Sequence, residues 1–376
     1  MTDLPIGRHN PKAVGLRGWS SRLIASHKFQ RWAAGFMPTR GVVRREGEAL
    51  FDLLSGFCQS QVLMALVQLD IPQMLLDDPL TVDELAVRCE VPLPRMVILM
   101  RAAQALQLVK QKRGKRFALA RRGAALVGVP GLAAMIKHHD ILYRDLADPA
   151  AFFRGETQTE LADFWPYVFG GDMDAAVADT YSDLMAQSQE LVADDTLRTL
   201  DFSGVSTLLD IGGGSGAFLE KVGHKYPKLN LMLFDLQKVV PAAHPRFATA
   251  GMTARVRIAG GSFVHDPIPE GADAISLVRV LYDHSDSTVA DLLARCHDAL
   301  PEGGRLYISE PMSGGDAPTR AGDVYFALYT LAMQTGKTRS VAEIASLCVS
   351  AGFEIVAKPK PFRPFVTGCL MARKIS

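Results

Sequence analysis

The stretch from Val205 to Leu219, VSTLLDIGGGSGAFL, constrains this chain more than any other. An apolar run closes on Asp210, glycines follow at Gly212, Gly213, Gly214 and Gly216, and Ala217 to Tyr226 has a helical pattern. Glycines between a strand and a helix let the backbone turn tightly and let a ligand approach where a Cβ would collide. The next apolar run, LNLMLFDL, reaches Asp235 and Leu236 about twenty residues later, where a carboxylate can accept both hydroxyls of a ribose. The pair predicts an α/β fold with a nucleoside cofactor at the carboxyl ends of parallel strands.

Gly212, Gly214 and Ala217 also satisfy the looser dinucleotide fingerprint, a weak match by itself. Two features favour S-adenosylmethionine. Asp210 places a carboxylate beside the loop, which would repel a pyrophosphate and suits a cationic amino-acid end. The chain also finishes with strand-like runs at Glu354–Ala357 and Val366–Ala372 around a Pro-rich loop, a closing hairpin typical of methyltransferases. A purely structural glycine turn is the alternative, and the spacing to Asp235 argues against it.

With 376 residues the chain can hold two or three domains, and a net charge of +1 speaks against a general grip on nucleic acid. Its five cysteines (Cys58, Cys89, Cys296, Cys348, Cys369) show no CxxC pair and no histidine at ligand spacing. That usage points to buried thiols in a reducing compartment, with neither disulfides nor a metal. No apolar run reaches the length of a membrane span and the amino terminus lacks a signal-peptide core, so the expected location is cytoplasmic.

Residues 1–46 form a basic leader, with Arg8, Lys12, Arg17, Arg22, Lys28, Arg31, Arg40, Arg44 and Arg45 against Asp3 and Glu46. Trp19, Leu23, Ile24, Phe29, Trp32 and Phe36 interleave at roughly helical spacing. This pattern fits an interfacial helix on an anionic membrane, or a solvated leader whose aromatics pack on the body or on a partner subunit. Residues 47–129 read as helices followed by a strand, a basic turn at Lys110–Arg116, a strand and a helix, which is a winged-helix pattern. Thr81 and Glu84 have capping-box spacing. A basic wing can bind DNA or be a solvated hairpin tip, and no basic recognition helix accompanies this one.

Residues 130–200 are helical and rich in aromatics, including Phe152, Phe153, Phe164, Trp165, Tyr167, Phe169 and Tyr181, with His138 and His139 beside them. They can wall a substrate pocket or be ordinary core, and paired histidines on a helix are more often structural than ligands. Residues 201–376 alternate strands and helices as an open, mostly parallel sheet.

With the glycine turn, the helical leader and LVRVLYDHSD in view, the chain resembles the acetylserotonin and caffeate type of O-methyltransferase from about Glu48 onward. That resemblance implies a class I S-adenosylmethionine domain behind a winged-helix dimerisation domain, and hence a homodimer. It implies cofactor contacts from Gly212, Gly214, Gly216 and Asp210, a ribose contact from Asp235, adenine contacts from Leu236, Ser262 and Phe263, and a further cofactor contact from Arg279. The family places an acid and a methionine where Ser262 and Phe263 stand.

The catalytic position departs from the family. Members read Leu-His-Asp-Trp-x-Asp, the histidine being the base; this chain reads Leu281-Tyr282-Asp283-His284-Ser285-Asp286. Tyr282 takes the base position, His284 replaces the tryptophan, Glu310 matches one of the two acids that orient the family's histidine, and Thr338 falls at the other. A phenol with a pKa of about 10 is a poor base at neutral pH.

The segments VRVLYDHSD, ISEPMSGGDAPTRAGDVYFALYTLAMQTGKTRS and LMAQSQELVADDTL resemble, more closely still, the carotenoid-pathway O-methyltransferases of purple phototrophic bacteria. That family methylates the tertiary 1-hydroxyl of acyclic carotenoids such as hydroxyneurosporene and demethylspheroidene. The resemblance implies a deep apolar channel, for which Phe152, Phe153, Trp165, Phe326, Tyr329 and Met333 are candidates, although Phe326, Tyr329 and Met333 equally describe a core stripe. It also gives the basic leader a reason to dock on the bilayer. Positioning alone can supply on the order of 7–11 kcal/mol in favourable cases. Tyr282 is expected to orient the hydroxyl and His284 to take the proton, unless His284 merely stacks on adenine. Other acceptors, a bacteriochlorophyllide ring carbon or a phenolic natural product, stay open, as does a non-catalytic winged-helix regulator with a vestigial cofactor fold.

Overall fold

The computed structural model describes residues 17–164 and 189–375. Three helices open it: α1 (Arg17–Ala25), α2 (His27–Gly35) and α3 (Met37–Gln68). Ser26 caps α2 by accepting the Phe29 N–H at 3.3 Å. The third helix runs straight through the leader boundary expected at residue 46. By length and composition α3 could cross a membrane, which corrects the expectation that no segment qualifies. Asp52, Gln59, Ser60 and Gln61 interrupt its apolar run and disguise its length in the sequence. Its inner end is ordinary core, with Met64, Leu66 and Val67 buried. Its outer part leaves Leu50, Phe51, Leu53, Leu54 and Phe57 exposed.

Helices α4 (Ile71–Asp77), α5 (Val82–Arg88) and α6 (Leu93–Ala105) pack with the end of α3 around Leu66, Ile71, Leu85, Met96 and Met100. Thr81 and Glu84 form the expected capping box. The expected wing is present: β1 (Val109–Gln111) pairs antiparallel with β2 (Phe117–Leu119), and α7 (Arg121–Gly128) follows. Arg116 at its base donates to the Pro79 carbonyl at 2.6 Å and reaches Glu84 at 3.3 Å, so that part of the basic turn is tied inward. Helices α8 (Leu132–Asp145), α9 (Pro149–Arg154) and α10 (Glu160–Phe164) form the helical layer. Trp165, Tyr167, Phe169 and Tyr181 lie outside the described residues.

The carboxyl half is one seven-stranded sheet, ordered β10-β11-β7-β6-β3-β4-β5. Its strands are β3 (Thr207–Ile211), β4 (Asn230–Asp235), β5 (Val256–Gly260), β6 (Ala274–Val278), β7 (Arg305–Glu310), β10 (Phe353–Ala357) and β11 (Gly368–Lys374). A short parallel pair, β8 (Met312–Ser313) with β9 (Arg339–Ser340), stands apart from it. Strands β3 to β7 pair in parallel, while β11 runs antiparallel to both β7 and β10, the predicted closing hairpin. Buried residues on both faces make two cores, one around Leu209, Leu277 and Ile308, the other around Leu208, Leu231 and Phe247. Such two-sided burial gives parallel strands their near-continuous apolar runs. The chain connections leave β3 in opposite directions, so the crevice for a ligand lies beyond its carboxyl end. Cys296, Cys348 and Cys369 are buried free thiols, as expected, whereas Cys58 on α3 is exposed.

Candidate active site

Every candidate site residue lies at or just past the carboxyl end of a parallel strand. Gly212, Gly214 and Gly216 follow β3; Asp235 ends β4 and Leu236 follows it; Ser262 and Phe263 follow β5; Arg279, Tyr282 and His284 follow β6; and Glu310 ends β7. The topology alone brings these scattered segments to one rim.

The cofactor side is built on the glycine loop. Gly216 has φ +80, and a Cβ there would sit 2.5 Å from the Phe247 ring, so no other residue fits. Gly214 has φ +59, but a Cβ on it would meet nothing within 4 Å, so its outer side faces open space. Its N–H donates to Asp235 Oδ2 at 2.7 Å, and the Leu236 N–H donates to Oδ1 at 2.6 Å. Each oxygen keeps a lone pair for a ribose hydroxyl. Desolvation raises the Asp235 pKa, and those two N–H bonds oppose the shift.

Asp210 is buried beneath the loop, not spread on its surface. Its Oδ1 accepts the Ser276 hydroxyl at 2.5 Å, and its Oδ2 has no hydrogen-bond partner among the described residues. Burial pushes its pKa up to about 7. An unpartnered buried carboxylate oxygen under a glycine loop, beside an open Gly214 and a half-buried Asp235, suits a cofactor with a cationic amino-acid end and a ribose. At the adenine edge, Ser262 replaces the family's acid, yet Asp266 turns back to accept the Ser262 N–H at 2.8 Å. A carboxylate is therefore present at this edge, four positions further on than expected.

His284 belongs to this same side. Its ring meets the Phe263 ring edge-on at 5.1 Å, and burial lowers its pKa to about 4. Among the described residues no hydrogen bond joins His284 to Tyr282, so of the two ways His284 could take the proton, directly or by way of Tyr282, the second has no direct link.

Tyr282 sits in the short helical turn Leu281–Asp283 and is buried. Its hydroxyl accepts from Arg279 Nη2 at 3.0 Å, and the guanidinium lies 5.6 Å from its ring. Burial raises its pKa well above the usual phenol range, so it stands neutral. Arg279, expected near the cofactor, holds φ +58 to reach this position. Asp283 beside it is raised to about 7 by burial, opposed by Arg279 and the Tyr282 hydroxyl.

Among the described residues Glu310 orients no side chain. Its Oε1 accepts the N–H groups of Val280 at 2.8 Å and Leu281 at 2.9 Å, fixing the backbone of the turn. Burial raises its pKa to about 8. A second anchor carries no local sequence signal. Arg339 is buried and donates to the Leu281 carbonyl at 2.8 Å, the His284 carbonyl at 2.8 Å and Asp286 at 2.7 Å. Its neighbour Lys337 donates its N–H to the Tyr282 carbonyl at 2.9 Å. The segment read only for its missing acid at Thr338 therefore cradles the whole turn.

The expected channel residues separate. Phe152, Tyr329 and Met333 are buried together with Leu161 and Ala332, as a core stripe would be. Phe153 is 63% exposed, with its ring edge-on to Phe152, so it does not point into that cluster. Phe326 is partly buried, and Trp165 lies outside the described residues. His138 and His139, read as structural, reach Tyr329 and Tyr325 at the edge of the Tyr282 site.

The O-methyltransferase domain family matches residues 143–354, and the O-methyltransferase dimerisation domain matches residues 51–128. The demethylspheroidene O-methyltransferase of Cereibacter sphaeroides is 51% identical over 361 residues, covering 96% of this chain and 95% of that protein. That of Rhodobacter capsulatus is 53% identical over 335 residues, covering 89% and 84%. Among solved structures, the S-adenosylhomocysteine-bound form of CalO1, a methyltransferase in calicheamicin biosynthesis, aligns with a TM-score of 0.72 at 25% identity, over 88% of this chain and 98% of that one.

Proposed function

The chain belongs to the S-adenosylmethionine-dependent O-methyltransferases that carry a dimerisation domain, and we propose that its acceptor is the tertiary 1-hydroxyl of an acyclic carotenoid of the demethylspheroidene type. Identity above one half with two demethylspheroidene O-methyltransferases, across most of each chain, carries this reading. The site supports it, because a neutral Tyr282 replaces the base expected for phenols. A phenol becomes a far better nucleophile once it has lost its proton; a tertiary alcohol is too weak an acid to be ionised first.

When bound, S-adenosylmethionine supplies a methyl group already activated by its sulfonium. Gly214, Asp235 and Leu236 would hold the nucleoside, Asp210 beneath the loop would favour the cationic amine, and Phe263 with His284 would wall the adenine. Tyr282, fixed by Arg279, presents its hydroxyl to the acceptor oxygen. Glu310 and Arg339 hold the turn that carries Tyr282 from opposite ends. The chemistry is then mostly alignment in a site that excludes water.

The protein works as a homodimer, and the exposed apolar residues of α3 lie largely within the dimerisation match. A bilayer-resident acceptor also gives a role to the basic, aromatic α1 and α2, which we assign to peripheral docking on the cytoplasmic side of an anionic membrane. Trp19 and Trp32 are exposed there among Arg22, Lys28 and Arg31.

The test is methyl transfer from labelled S-adenosylmethionine to detergent-solubilised 1-hydroxyneurosporene, with a catechol and a bacteriochlorophyllide in parallel. A methyl ether on the carotenoid alone is expected. Label on either other acceptor would keep the cofactor and overturn the substrate.

A further inference from the structure

Helix α8 sets two imidazoles against two phenols, Tyr325 in the wide helical turn Arg320–Phe326 and Tyr329 in the helix Ala327–Met333. His138 Nε2 is 2.9 Å from the Tyr329 hydroxyl, and His139 Nε2 is 2.6 Å from that of Tyr325. Tyr325 and Tyr329 are four apart and share a helical face, their rings 6.2 Å apart. The wide helical turn Arg320–Phe326 sets that face. Asp323 pins it by accepting from Ser313 at 2.5 Å, Thr319 at 2.6 Å and Gly314 at 2.9 Å. Such widened turns recur at functional sites. The helix that follows packs on both α8 and the Tyr282 turn.

Resting on the assignment of the Tyr282 face as the acceptor site, we propose that the proton leaving the acceptor hydroxyl passes through the Tyr329 hydroxyl to Nε2 of His138.

The neighbouring groups leave few other routes. Arg279 is a cation, Tyr282 is neutral and hydrogen-bonded to it, and His284 faces Phe263. Glu310 is engaged by the Val280 and Leu281 N–H groups, and burial drives it towards its protonated form. Tyr329 stands on the helix that packs against the Tyr282 turn, its ring 6.2 Å from that of Tyr325, which brings it towards the Tyr282 face. Burial, with His139 alongside, keeps His138 neutral down to about pH 4, so it can accept a proton throughout the working range. A weak base suffices, because the acceptor proton becomes strongly acidic once the oxygen has begun to bond to carbon. As the oxygen–carbon bond forms and the carbon–sulfur bond breaks, sulfur keeps the electron pair. Tyr329 takes the oxonium proton while its own moves to Nε2; the phenol is restored and the imidazolium later releases one proton to water.

Full-length wild type, His138→Gln, His139→Gln and Tyr329→Phe should be compared for turnover of 1-hydroxyneurosporene between pH 6 and 9, with cofactor affinity and melting temperature measured alongside. Glutamine keeps a hydrogen bond to Tyr329 but cannot carry the proton. His138→Gln is expected to lose roughly 100-fold in kcat at pH 7, with a rate that climbs as pH rises where wild type is flat. In the cofactor-free protein, the His138 ring nitrogen resonance, assigned by its absence in His138→Gln, should move on adding the hydroxylated carotenoid and stay put with its methyl ether. Near-normal kcat in His138→Gln, a loss with no pH slope, or a loss confined to His139→Gln would each overturn the relay. Wild type that leaves the carotenoid unmethylated would instead overturn the acceptor assignment on which the relay rests.

Discussion

The Tyr282 hydroxyl accepts a hydrogen bond from Arg279, three residues earlier, at 3.0 Å. The cation holds the phenol in place, while burial keeps its proton on. Tyr282→Phe should therefore lower kcat by about tenfold, the cost of one hydrogen bond to a charged group, and leave the cofactor dissociation constant unchanged. The rate of wild type should show no rise towards pH 10. A phenolate-type increase across that range in steady-state assays would mean that Tyr282 ionises after all.

Asp235 holds the glycine loop through Gly214 and has lone pairs left for a ribose. Asp235→Asn should weaken S-adenosylmethionine binding by roughly 10- to 100-fold, as expected for charged hydrogen bonds. Calorimetry measures this directly, and an unchanged affinity would remove Asp235 from the cofactor site.

Gly216 and Gly214 should respond differently to alanine. At Gly216 the new Cβ meets Phe247 at 2.5 Å, so Gly216→Ala should lower the melting temperature sharply. At Gly214 the space is open, and the left-handed backbone alone should cost about 1–2 kcal/mol. Its main effect should be on cofactor affinity, since the loop faces the ligand.

Glu310 makes stability depend on pH in a direction opposite to most acids. Its folded pKa, about 8, lies above the ordinary carboxyl value of 4.5, so the folded chain binds more protons than the unfolded chain between those limits. Stability from this group is present below pH 4.5 and is lost as pH rises towards 8. Asp210, raised to about 7, adds to the same slope. Glu310→Gln keeps a carbonyl oxygen for the Val280 and Leu281 N–H groups, so the variant should unfold with a flatter dependence on pH from about 5 to 8. Parallel melting curves across that window would detect the difference.

Removal of residues 1–36 leaves Met37 to begin the long helix. The truncated protein should bind anionic liposomes at least severalfold more weakly at low salt, with cofactor affinity unchanged. Equal liposome binding by the two forms would place the docking elsewhere.

Much of the scaffold was legible in the sequence because local chemistry dictates it. The glycine loop, Asp235 and the parallel strands each carry a signature in adjacent residues, and the two closing strands lie within two positions of their expected limits. What escaped depends on contacts between distant segments. Arg339 grips a turn more than fifty positions away, and nothing near it in sequence marks it as an anchor. Glu310 was placed correctly, but its task of holding backbone N–H groups could not be read from a side-chain pattern. His138 and His139 look like any polar pair on a helix until Tyr325 and Tyr329 are folded against them. The leader boundary expected at residue 46 leaves no mark on α3, because a helix can continue through a change in charge without any local stop signal.

Helix α3 is a strut with one foot in each of two processes. Its outer residues, Leu54 and Phe57 among them, face away from the body, while Met64 and Val67 pack with Ile136 of α8. Ile136 lies two positions before His138. A load applied to the outer half, by a second subunit or a lipid surface, is borne at the inner end by the helix that carries the histidine pair. The exposed half of α3 and the helix that carries the histidine pair are thus joined by one mechanical member.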